Sequence, residues 1–211
     1  MQPTNPQPAA HGEATAPVVF HPVGYSRTTL TELMIPAYAN FGGKIHGGIL
    51  LSLMDKAAYA CAAKHAGHYC VTVSVDNVDF VQPVEVGDLV SLLASVNHVG
   101  RTSLIVGIRV TAENVKTREI KHTNTSYFTM VAKDDHNQPT EVPGLLLENR
   151  EDARRFLEAI QRKELKSQYR QQLDNAKTAM SVDAFLEGLN WAASAALVNE
   201  GLSKVRKGWQ D

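Results

Sequence analysis

The segment from Asn40 to His65 constrains the fold of this chain more than any other, because a glycine-rich loop leads directly into an unusually apolar stretch. It reads NFGGKIHGGILLSLMDKAAYACAAKH. Within GILLSLMDKAAYACAA, only Ser52, Asp55 and Lys56 carry strongly polar side chains. An α-helix that is apolar on nearly every side is normally buried, so we predict a buried central helix.

The carboxylate of Asp55 is the feature of this helix that points to chemistry. Ser52 and Tyr59 lie three and four residues away, on the same helix face, so we expect Asp55 to lie in a mostly enclosed polar notch. A carboxylate is rarely buried without a partner, because desolvating the charge is costly. Two interpretations follow: a structural pair with Lys56, Lys64 or a hydroxyl, or a catalytic acid.

Length and charge limit the functions that this chain can have. It has 211 residues and a formal net charge of −1, which fits one domain with extensions and offers no basic surface for nucleic acid. The first residues lack the positive start and apolar core of a signal peptide, and no apolar run is long enough for a membrane span. The two cysteines make no disulfide framework, so we expect a cytoplasmic protein.

The pattern along the chain predicts one antiparallel sheet. A leader rich in Pro, Gln and Ala, residues 1–24, is predicted to be disordered. One strand then precedes the apolar helix, and four sequential strands joined by short turns follow it, which implies antiparallel pairing against the helix. A change of phase between Asp76 and Val78 predicts a bulge there. The predicted strands cover residues 26–33, 71–75, 89–99, 104–112 and 120–132.

The character of the sequence changes after the last of these strands. Residues 146–211 are predicted to form a C-terminal helical extension, whose first, charged helix follows an N-cap at Asn149. Glu151 and Asp152 suit the positive end of its dipole. A second helix, VDAFLEGLNWAASAALV, is predicted after Ser181. We expect these helices to pack on the sheet or on a neighbouring subunit.

Gly47 and Gly48 open the central helix and present backbone N–H groups at its positive end, which suits a developing oxyanion. An ordinary glycine turn is the alternative interpretation. Asp55 lies seven residues beyond Gly48, about 10 Å along the helix axis, which is too far for both groups to act on one carbonyl. If both are catalytic, the helix end of one subunit must meet the Asp55 of another in a two-fold dimer.

Several motifs occur together, in a fixed order, within residues 26–145. They are N-x-x-G-x-x-H-G-G from Asn40, the helical Asp55, VTVSVDNVDFVQPVEVGD, the turn GRTS and YFTMVAKDDHNQP. With them the chain resembles the cytosolic acyl-CoA hydrolases of the hotdog fold. The resemblance implies an α+β fold over residues 25–145, in which an antiparallel sheet wraps around a long central helix. It also implies homodimers joined edge to edge and often a trimer of dimers, hence a homohexamer.

The resemblance further implies hydrolysis of fatty acyl-CoA thioesters to free fatty acid and CoA. Asp55 matches the catalytic acid of the family, as general base on water or as nucleophile. Asn40 matches the residue that orients the water or the substrate carbonyl across the dimer interface, and the Gly48 N–H polarises that carbonyl. Because thiols have a pKa of about 8.5, the thiolate leaves readily, and no metal or other cofactor is expected.

Substrate contacts are expected around this centre. Phosphates of CoA call for cations and backbone donors, and the turn at Arg101 matches a family motif that contacts CoA, although it could be a solvated charge. His46 either touches substrate or braces its loop. The residues expected to bind substrate are Gly47, His46, Thr72, Val73, Ser74, Arg101, Thr102 and Ser103.

Three other interpretations stay open. Cys61, His65, His68 and Cys70 carry side chains of the type that bind zinc, but their spacing matches no common zinc module, and core packing is favoured. A hotdog dehydratase or hydratase relies on a histidine with an acid in another arrangement. A non-catalytic acyl-CoA-binding regulatory protein has no use for a costly carboxylate in its central helix.

Overall fold

The computed structural model describes residues 19–180, and the predicted helix and all five predicted strands are confirmed to within a few residues. In chain order the elements are β1 Phe20–Pro22, α1 Val23–Ser26, β2 Thr28–Leu33, a 3-10 turn Pro36–Tyr38, α2 Gly47–Ala66, β3 Tyr69–Val75, β4 Asp88–Val99, β5 Ser103–Asn114, β6 Ile120–Lys133, β7 Gly144–Leu146 and α3 Arg150–Ala179.

One antiparallel sheet surrounds α2, as predicted. Its strand order is β2-β4-β5-β6-β3, and α2 packs against all five strands. The alternation in β5 places one face of that strand entirely in the core, because side chains of an extended strand point to opposite sides in turn. The core-facing residues of β5, each at most 1% exposed, are Leu104, Val106, Ile108, Val110 and Ala112.

The order of the strands differs from the predicted sequential one. β3 pairs with β6 at one edge of the sheet, while β4 lies between β2 and β5. Residues 76–87 connect β3 to β4 and are too many for a tight hairpin. The chain therefore crosses the sheet at this point instead of turning back on itself.

The predicted bulge also lies elsewhere. The register of β3 against β6 shifts between Thr72 and Ser74, so Val73 is the extra residue. β3 has already ended at Val75, and the change of phase after Asp76 marks the end of the strand. A bulge bends its strand and redirects neighbouring side chains.

The two ends of α2 are defined by their caps. His46 precedes the helix, and its Nδ1 accepts a hydrogen bond from the Gly48 N–H at 2.9 Å. At the other end Gly67 adopts a left-handed conformation with φ of 69°, which a residue with a Cβ adopts only at a cost. Its N–H donates to Ala63 O at 2.9 Å.

α2 has a broader exposed side than the sequence predicted. Nine of its twenty residues are buried, and these face the sheet. The sheet curls around only one side of the helix, so the opposite side is open in the single chain. The exposed residues on that side are Leu51, Ser52, Asp55, Lys56 and Tyr59.

A two-stranded clasp, which the sequence analysis did not predict, closes over the C-terminal end of α2. β1 and β7 pair in parallel, bringing the start of the described chain beside residues 144–146. His65 lies beneath the clasp, fully buried, and its Nε2–H donates to Pro143 O at 3.1 Å. His21 in turn donates from Nδ1 to His65 O at 3.1 Å.

The helix α3 confirms the first predicted helix of the extension and its cap. The Asp152 N–H donates to Asn149 Oδ1 at 2.9 Å, which is the expected N-cap bond.

The chain divides into two compact units, Met1–Ile160 and Gln161–Asp211. Among the described helices, α3 included, none combines the length and the apolar composition needed to cross a membrane.

Regular structure begins before the predicted boundary at residue 25, since β1 and part of α1 lie within the predicted leader. The rest of that leader lies outside the described residues. The helix predicted after Ser181 lies outside them as well.

We predict that His65 makes the fold less stable in mild acid. Its Nδ1 is buried without a hydrogen-bond partner, and burial lowers the pKa of this histidine below its usual value. As the pH falls below about 6.5, the unfolded chain takes up the proton first. The free energy of unfolding then falls by up to about 1.4 kcal/mol per pH unit until the folded-state pKa is reached.

Urea denaturation of the wild type and of His65→Gln across this pH range tests the prediction. Glutamine keeps an N–H donor for Pro143 but does not titrate, so the variant should show the flatter pH profile. His68→Gln, at an exposed position, is the matched control. Equal pH slopes for the wild type and His65→Gln would contradict the prediction.

Candidate active site

The carboxylate of Asp55 is bonded to a hydroxyl rather than to a cation. Thr72 on β3 donates from Oγ1 to Asp55 Oδ1 at 2.6 Å, a distance typical of a hydrogen bond to an ionised oxygen. Thr72 Oγ1 also lies 3.2 Å from Met130 Sδ, but its one proton goes to the stronger acceptor. The bond holds Oδ1 in place and leaves Oδ2 for a ligand.

The sequence left open a structural pair between Asp55 and a lysine or a hydroxyl, and the structure places a hydroxyl there. No ion pair of Asp55 occurs within residues 19–180. Lys64 instead donates from Nζ to Thr28 Oγ1 at 3.3 Å. Thr72 lies beside the bulge at Val73, which sets the direction of its side chain.

The expected enclosure of Asp55 is wrong for the single chain, in which this residue is exposed. The reason is the one-sided packing of α2. Ser52, Asp55 and Tyr59 share a helix face, as the spacing predicted, but this face points away from the sheet of the same chain. Tyr59 is 41% exposed and contacts Tyr69, with ring centroids 5.9 Å apart.

Asn40 organises the loop that precedes α2. Its Oδ1 accepts hydrogen bonds from the Gly42 N–H at 2.8 Å and the Lys44 N–H at 3.2 Å. Its own backbone N–H donates to Lys44 O at 2.7 Å. Because Oδ1 is used inside the loop, the amide Nδ2 is left as a donor at an exposed residue, and no acceptor for it is found within residues 19–180.

The glycine pair at the start of α2 is packed tightly. A Cβ on Gly48 would lie 2.9 Å from His46 Nδ1, and one on Gly47 would lie 3.3 Å from the ring of Phe80. The Gly48 N–H, predicted to polarise a substrate carbonyl, donates to His46 Nδ1 at 2.9 Å. The His46 side chain therefore caps the start of α2, and its expected contact with substrate stays a prediction.

The turn between β4 and β5 carries the expected CoA-binding residues. Arg101 faces Glu141 at 3.8 Å, with both side chains more than three quarters exposed, so the pair is weak and the guanidinium stays accessible. The backbone of the turn is held firmly, since Thr102 O accepts from the Ala132 N–H at 3.0 Å. Ser103 begins β5 beside them.

Within one chain the structure brings together only part of the predicted site. Asp55 meets Thr72, and Gly48 meets His46, but no described contact joins Asn40 to Asp55.

Two grooves have volumes of about 790 and 740 Å³, and neither includes any of these residues. The first lies between the outer face of the sheet and the start of α3, and the second lies beside Tyr59. Val73 and Ser74 follow Thr72 on the edge strand β3.

The four residues considered for zinc make other contacts. His65 is bonded to the Pro143 carbonyl, and Cys70 Sγ donates to His68 O at 3.6 Å. No group of three or more potential metal ligands occurs among the described residues. Burial raises the pKa of the thiols of Cys61 and Cys70 to about 11, and a metal ligand would need the thiolate.

Thr72 is expected from the sequence to flank the pantetheine of CoA, which stays a prediction. The structure adds a bond that was not predicted, from its hydroxyl to Asp55, 17 residues earlier in the chain. No local pattern connects the two residues, because one lies on a helix and the other on the strand packed against it. Only the packing of α2 on β3 brings them together.

Comparison with known proteins identifies the family. A family model described as the thioesterase superfamily matches residues 42–119. Protein VdlD of Helicobacter pylori is 44% identical over 142 residues, which cover 67% of this chain and 81% of that protein. The uncharacterized acyl-CoA thioester hydrolase YkhA of Bacillus subtilis is 34% identical over 137 residues, 65% of this chain and 80% of that protein.

Solved structures agree with these relatives. A hexameric acyl-CoA thioesterase is 39% identical, with a TM-score of 0.70 over 72% of this chain and 97% of that one. An acyl-CoA hydrolase of Staphylococcus aureus, solved with butyryl-CoA and CoA, is 29% identical, with a TM-score of 0.68 over 75% of this chain and 97% of that one. This chain belongs to the acyl-CoA thioester hydrolases of the thioesterase superfamily and has their hotdog fold.

The Staphylococcus aureus hydrolase has also been solved as three alanine variants, which replace an asparagine, an aspartate and a threonine. In that protein the asparagine precedes the aspartate by 15 residues and the threonine follows the aspartate by 17. Asn40, Asp55 and Thr72 have the same two spacings here.

We predict that neither cysteine reacts with a thiol reagent in the native protein. Cys61 and Cys70 are 0% and 2% exposed, and with a pKa of about 11 only about one thiol in a thousand is ionised near pH 8. DTNB should label no thiol in the folded chain and two after denaturation, with or without a chelator. A thiol that reacts as fast in the native as in the unfolded chain, or only after chelation, would contradict this.

Proposed function

We propose that this protein hydrolyses fatty acyl-CoA thioesters to free fatty acids and CoA, with Asn40, Asp55 and Thr72 at the centre of the site. The observation that carries the proposal is the contact between Asp55 and Thr72, at 2.6 Å. The same three residue types, at the same spacings, were chosen for replacement in the Staphylococcus aureus hydrolase.

The chemistry needs little beyond an oriented carboxylate. As a general base, Asp55 takes a proton from water as the oxygen adds to the thioester carbonyl; the carbon–sulfur bond then breaks and CoA leaves as thiolate. As a nucleophile, its oxygen adds directly to the thioester carbonyl, the carbon–sulfur bond breaks and CoA leaves as thiolate, and water then cleaves the resulting anhydride. In both routes Thr72 holds Oδ1, so that Oδ2 faces the water or the carbonyl.

The carbonyl oxygen is stabilised by donors from the other half of the site. Asn40 offers Nδ2, because its Oδ1 is bonded inside the loop. The Gly48 N–H is the second donor, at the positive end of α2. Because this N–H donates to His46 Nδ1, the His46 ring must move before a substrate carbonyl can accept from it.

The two halves come from different subunits of a homodimer. The distance of about 10 Å along α2 separates Asp55 from its own helix end, and the side of α2 that carries Asp55 is open. β3 is an edge strand with exposed apolar residues Tyr69, Val73 and Val75, a composition that favours pairing with another chain. The hexameric relative supports a trimer of such dimers, hence a homohexamer.

CoA itself is bound by the edge of the sheet and the adjoining turn. Arg101, with its accessible guanidinium, binds phosphate together with Thr102 and Ser103. The backbone of Val73 and Ser74 flanks the pantetheine chain. A cytoplasmic location, where acyl-CoA substrates are met, stays a prediction from the sequence.

Loss of the carboxylate should abolish most of the activity. Asp55→Asn has the same shape but cannot act as a base, so thiol release should fall at least about 100-fold. Asn40→Ala should also lose activity. The charge-matched control is Asp174→Asn, because Asp174 is an exposed carboxylate on α3. The assay follows DTNB absorbance with a panel of substrates from acetyl-CoA to palmitoyl-CoA.

If the wild type releases no thiol from a substrate of any chain length, the result favours a non-catalytic acyl-CoA-binding regulatory protein. Binding of a non-hydrolysable thioether analogue, measured at equilibrium, would then detect that function. Hydration of an enoyl-CoA without thiol release would favour the dehydratase or hydratase. Full activity in Asp55→Asn would overturn the proposed role of this residue.

Mixing two inactive variants tests whether the site is shared between subunits. In a dimer of one Asn40→Ala chain and one Asp55→Asn chain, one site combines both replaced residues and the other combines both native residues. One of the two sites is therefore intact. Random reassembly after denaturation should therefore restore about a quarter of the wild-type activity. The two variants, each refolded separately, are the controls. If the mixture reassembles to the wild-type oligomeric mass but recovers no activity, both residues belong to the site of one chain.

The hydroxyl of Thr72 should matter through its bond to Asp55. Thr72→Val keeps the shape of the side chain and should lower kcat roughly 10- to 100-fold, as expected for a hydrogen bond to a charged group. Thr72→Ser retains the hydroxyl and should stay near the wild-type rate. Equal activity of the two variants would show that the contact does not contribute to turnover.

A further inference from the structure

Phe41 is the most exposed large apolar side chain among residues 19–180, and its ring is fully open to solvent. It follows Asn40 in the loop that precedes α2. Hydrogen bonds hold this loop closed, since the Asn40 N–H donates to Lys44 O at 2.7 Å and the Gly43 N–H donates to Asn40 O at 3.0 Å. The loop therefore holds Phe41 in a position that no described residue covers.

The symmetry of the proposed dimer determines the direction in which this loop extends. Two α2 helices that each place Gly48 beside Asp55 of the other lie side by side and antiparallel. The residues that precede Gly47 in one chain therefore continue along α2 of the second chain, past Asp55 and toward the C-terminal end of that helix. The next residue on the same helix face in that direction is Tyr59, about 6 Å further along the axis.

A groove of about 740 Å³ lies beside Tyr59. We call it the tyrosine groove, because three tyrosine rings line it, Tyr25, Tyr59 and Tyr69, which are 57%, 41% and 58% exposed. The rings of Tyr59 and Tyr69 lie 5.9 Å apart. Ala63, on the same helix face as Tyr59, adds only a methyl group to the lining. The tyrosine groove thus has an aromatic lining and room for another aromatic ring.

The charges of the tyrosine groove favour a neutral occupant. Two lysines and two aspartates also line it: Lys64, Lys133, Asp134 and Asp135. Their charges cancel, so the groove offers no net attraction to an anionic group such as a phosphate of CoA. Tyr69 begins β3, the edge strand at which the proposed dimer joins its two sheets, so the groove is continuous with that interface.

We propose that Phe41 of one chain inserts into the tyrosine groove of a second chain, a contact that rests on the proposed shared site. The phenyl ring packs against the rings of Tyr59 and Tyr69, and two-fold symmetry forms the contact twice in each dimer. Phe41 is then a positioning residue. It touches no reacting atom, but it anchors the loop that brings the Asn40 amide to Asp55 of the second chain.

Cross-linking of engineered cysteines tests the contact in the full-length, assembled protein without substrate. The test variant combines Phe41→Cys with Tyr59→Cys and is treated with a short bismaleimide. The control variant combines Phe41→Cys with Thr125→Cys, an exposed position on the outer face of the sheet. The native Cys61 and Cys70 are buried. The test pair should be linked between chains at least about tenfold faster, because residues in contact have a high effective concentration.

Denaturing gels and peptide masses show whether a link joins two chains. Equal rates for the two pairs, or links formed only within a chain, would overturn the proposal. The measurement also separates the contact from the hydrolysis, since it uses no substrate. Linked chains that release no thiol would refute the proposed hydrolysis and support the contact, whereas active chains that link no faster than the control would refute the contact alone.

A double-mutant cycle on assembly gives a second measurement. Phe41→Ala and Tyr59→Ala should each raise the dissociation constant of the oligomer at least about tenfold, and the double variant should add little to either change. Phe41→Tyr keeps the aromatic ring and should stay near the wild-type value. Val115→Ala, which shortens an exposed apolar side chain between β5 and β6, is the control. Sedimentation over a dilution series provides the dissociation constants.

The acyl chain of the substrate is the competing occupant of the tyrosine groove. In that case Tyr59→Ala should shift the preferred chain length in the thiol-release panel, while Phe41→Ala leaves assembly unchanged. That pattern would overturn the proposal, as would strictly additive effects of the two replacements on the dissociation constant.

Discussion

The packing of α2 against the sheet is the interaction on which the rest of the structure depends. Five strands enclose the side of the helix that carries Met54, Ala58 and Cys61, each of them fully buried, and this contact removes apolar area of the helix and of the sheet from water. The sheet ends before it surrounds the helix. The remaining side carries Asp55 and faces outward, so the central helix of the fold also presents the candidate catalytic group.

Local hydrogen bonds hold each candidate group in position before any substrate arrives. Thr72 fixes one oxygen of Asp55, and the loop closed by Asn40 fixes its own amide. A single chain thus presents two prearranged half-sites on different parts of its surface. In the proposed dimer two such chains complete two equivalent sites, and enclosure by the partner provides the low dielectric in which a carboxylate and oriented dipoles act most strongly.

The C-terminal part of the chain follows a different physical principle. Its first turns are anchored by the Asn149 cap and by the buried side chains of Asp152 and Ala159. Between residues 161 and 179 the helix is highly charged, and its large apolar side chains Leu165, Tyr169 and Leu173 are exposed. The clasp of β1 and β7 closes the core above His65, and β7 ends at Leu146, before the helical extension begins.

The sequence by itself determined the elements whose causes are local. The apolar composition of α2, the alternation of β5 and the N-cap at Asn149 involve residues within a few positions of each other, and the family motif around Asn40 and Asp55 is read in the same way. Only the tertiary structure decided the strand order, the clasp, the exposure of Asp55 and its bond to Thr72. Those features join groups 17 to 124 residues apart, and their contacts depend on which surfaces of the folded chain meet, which local periodicity does not encode.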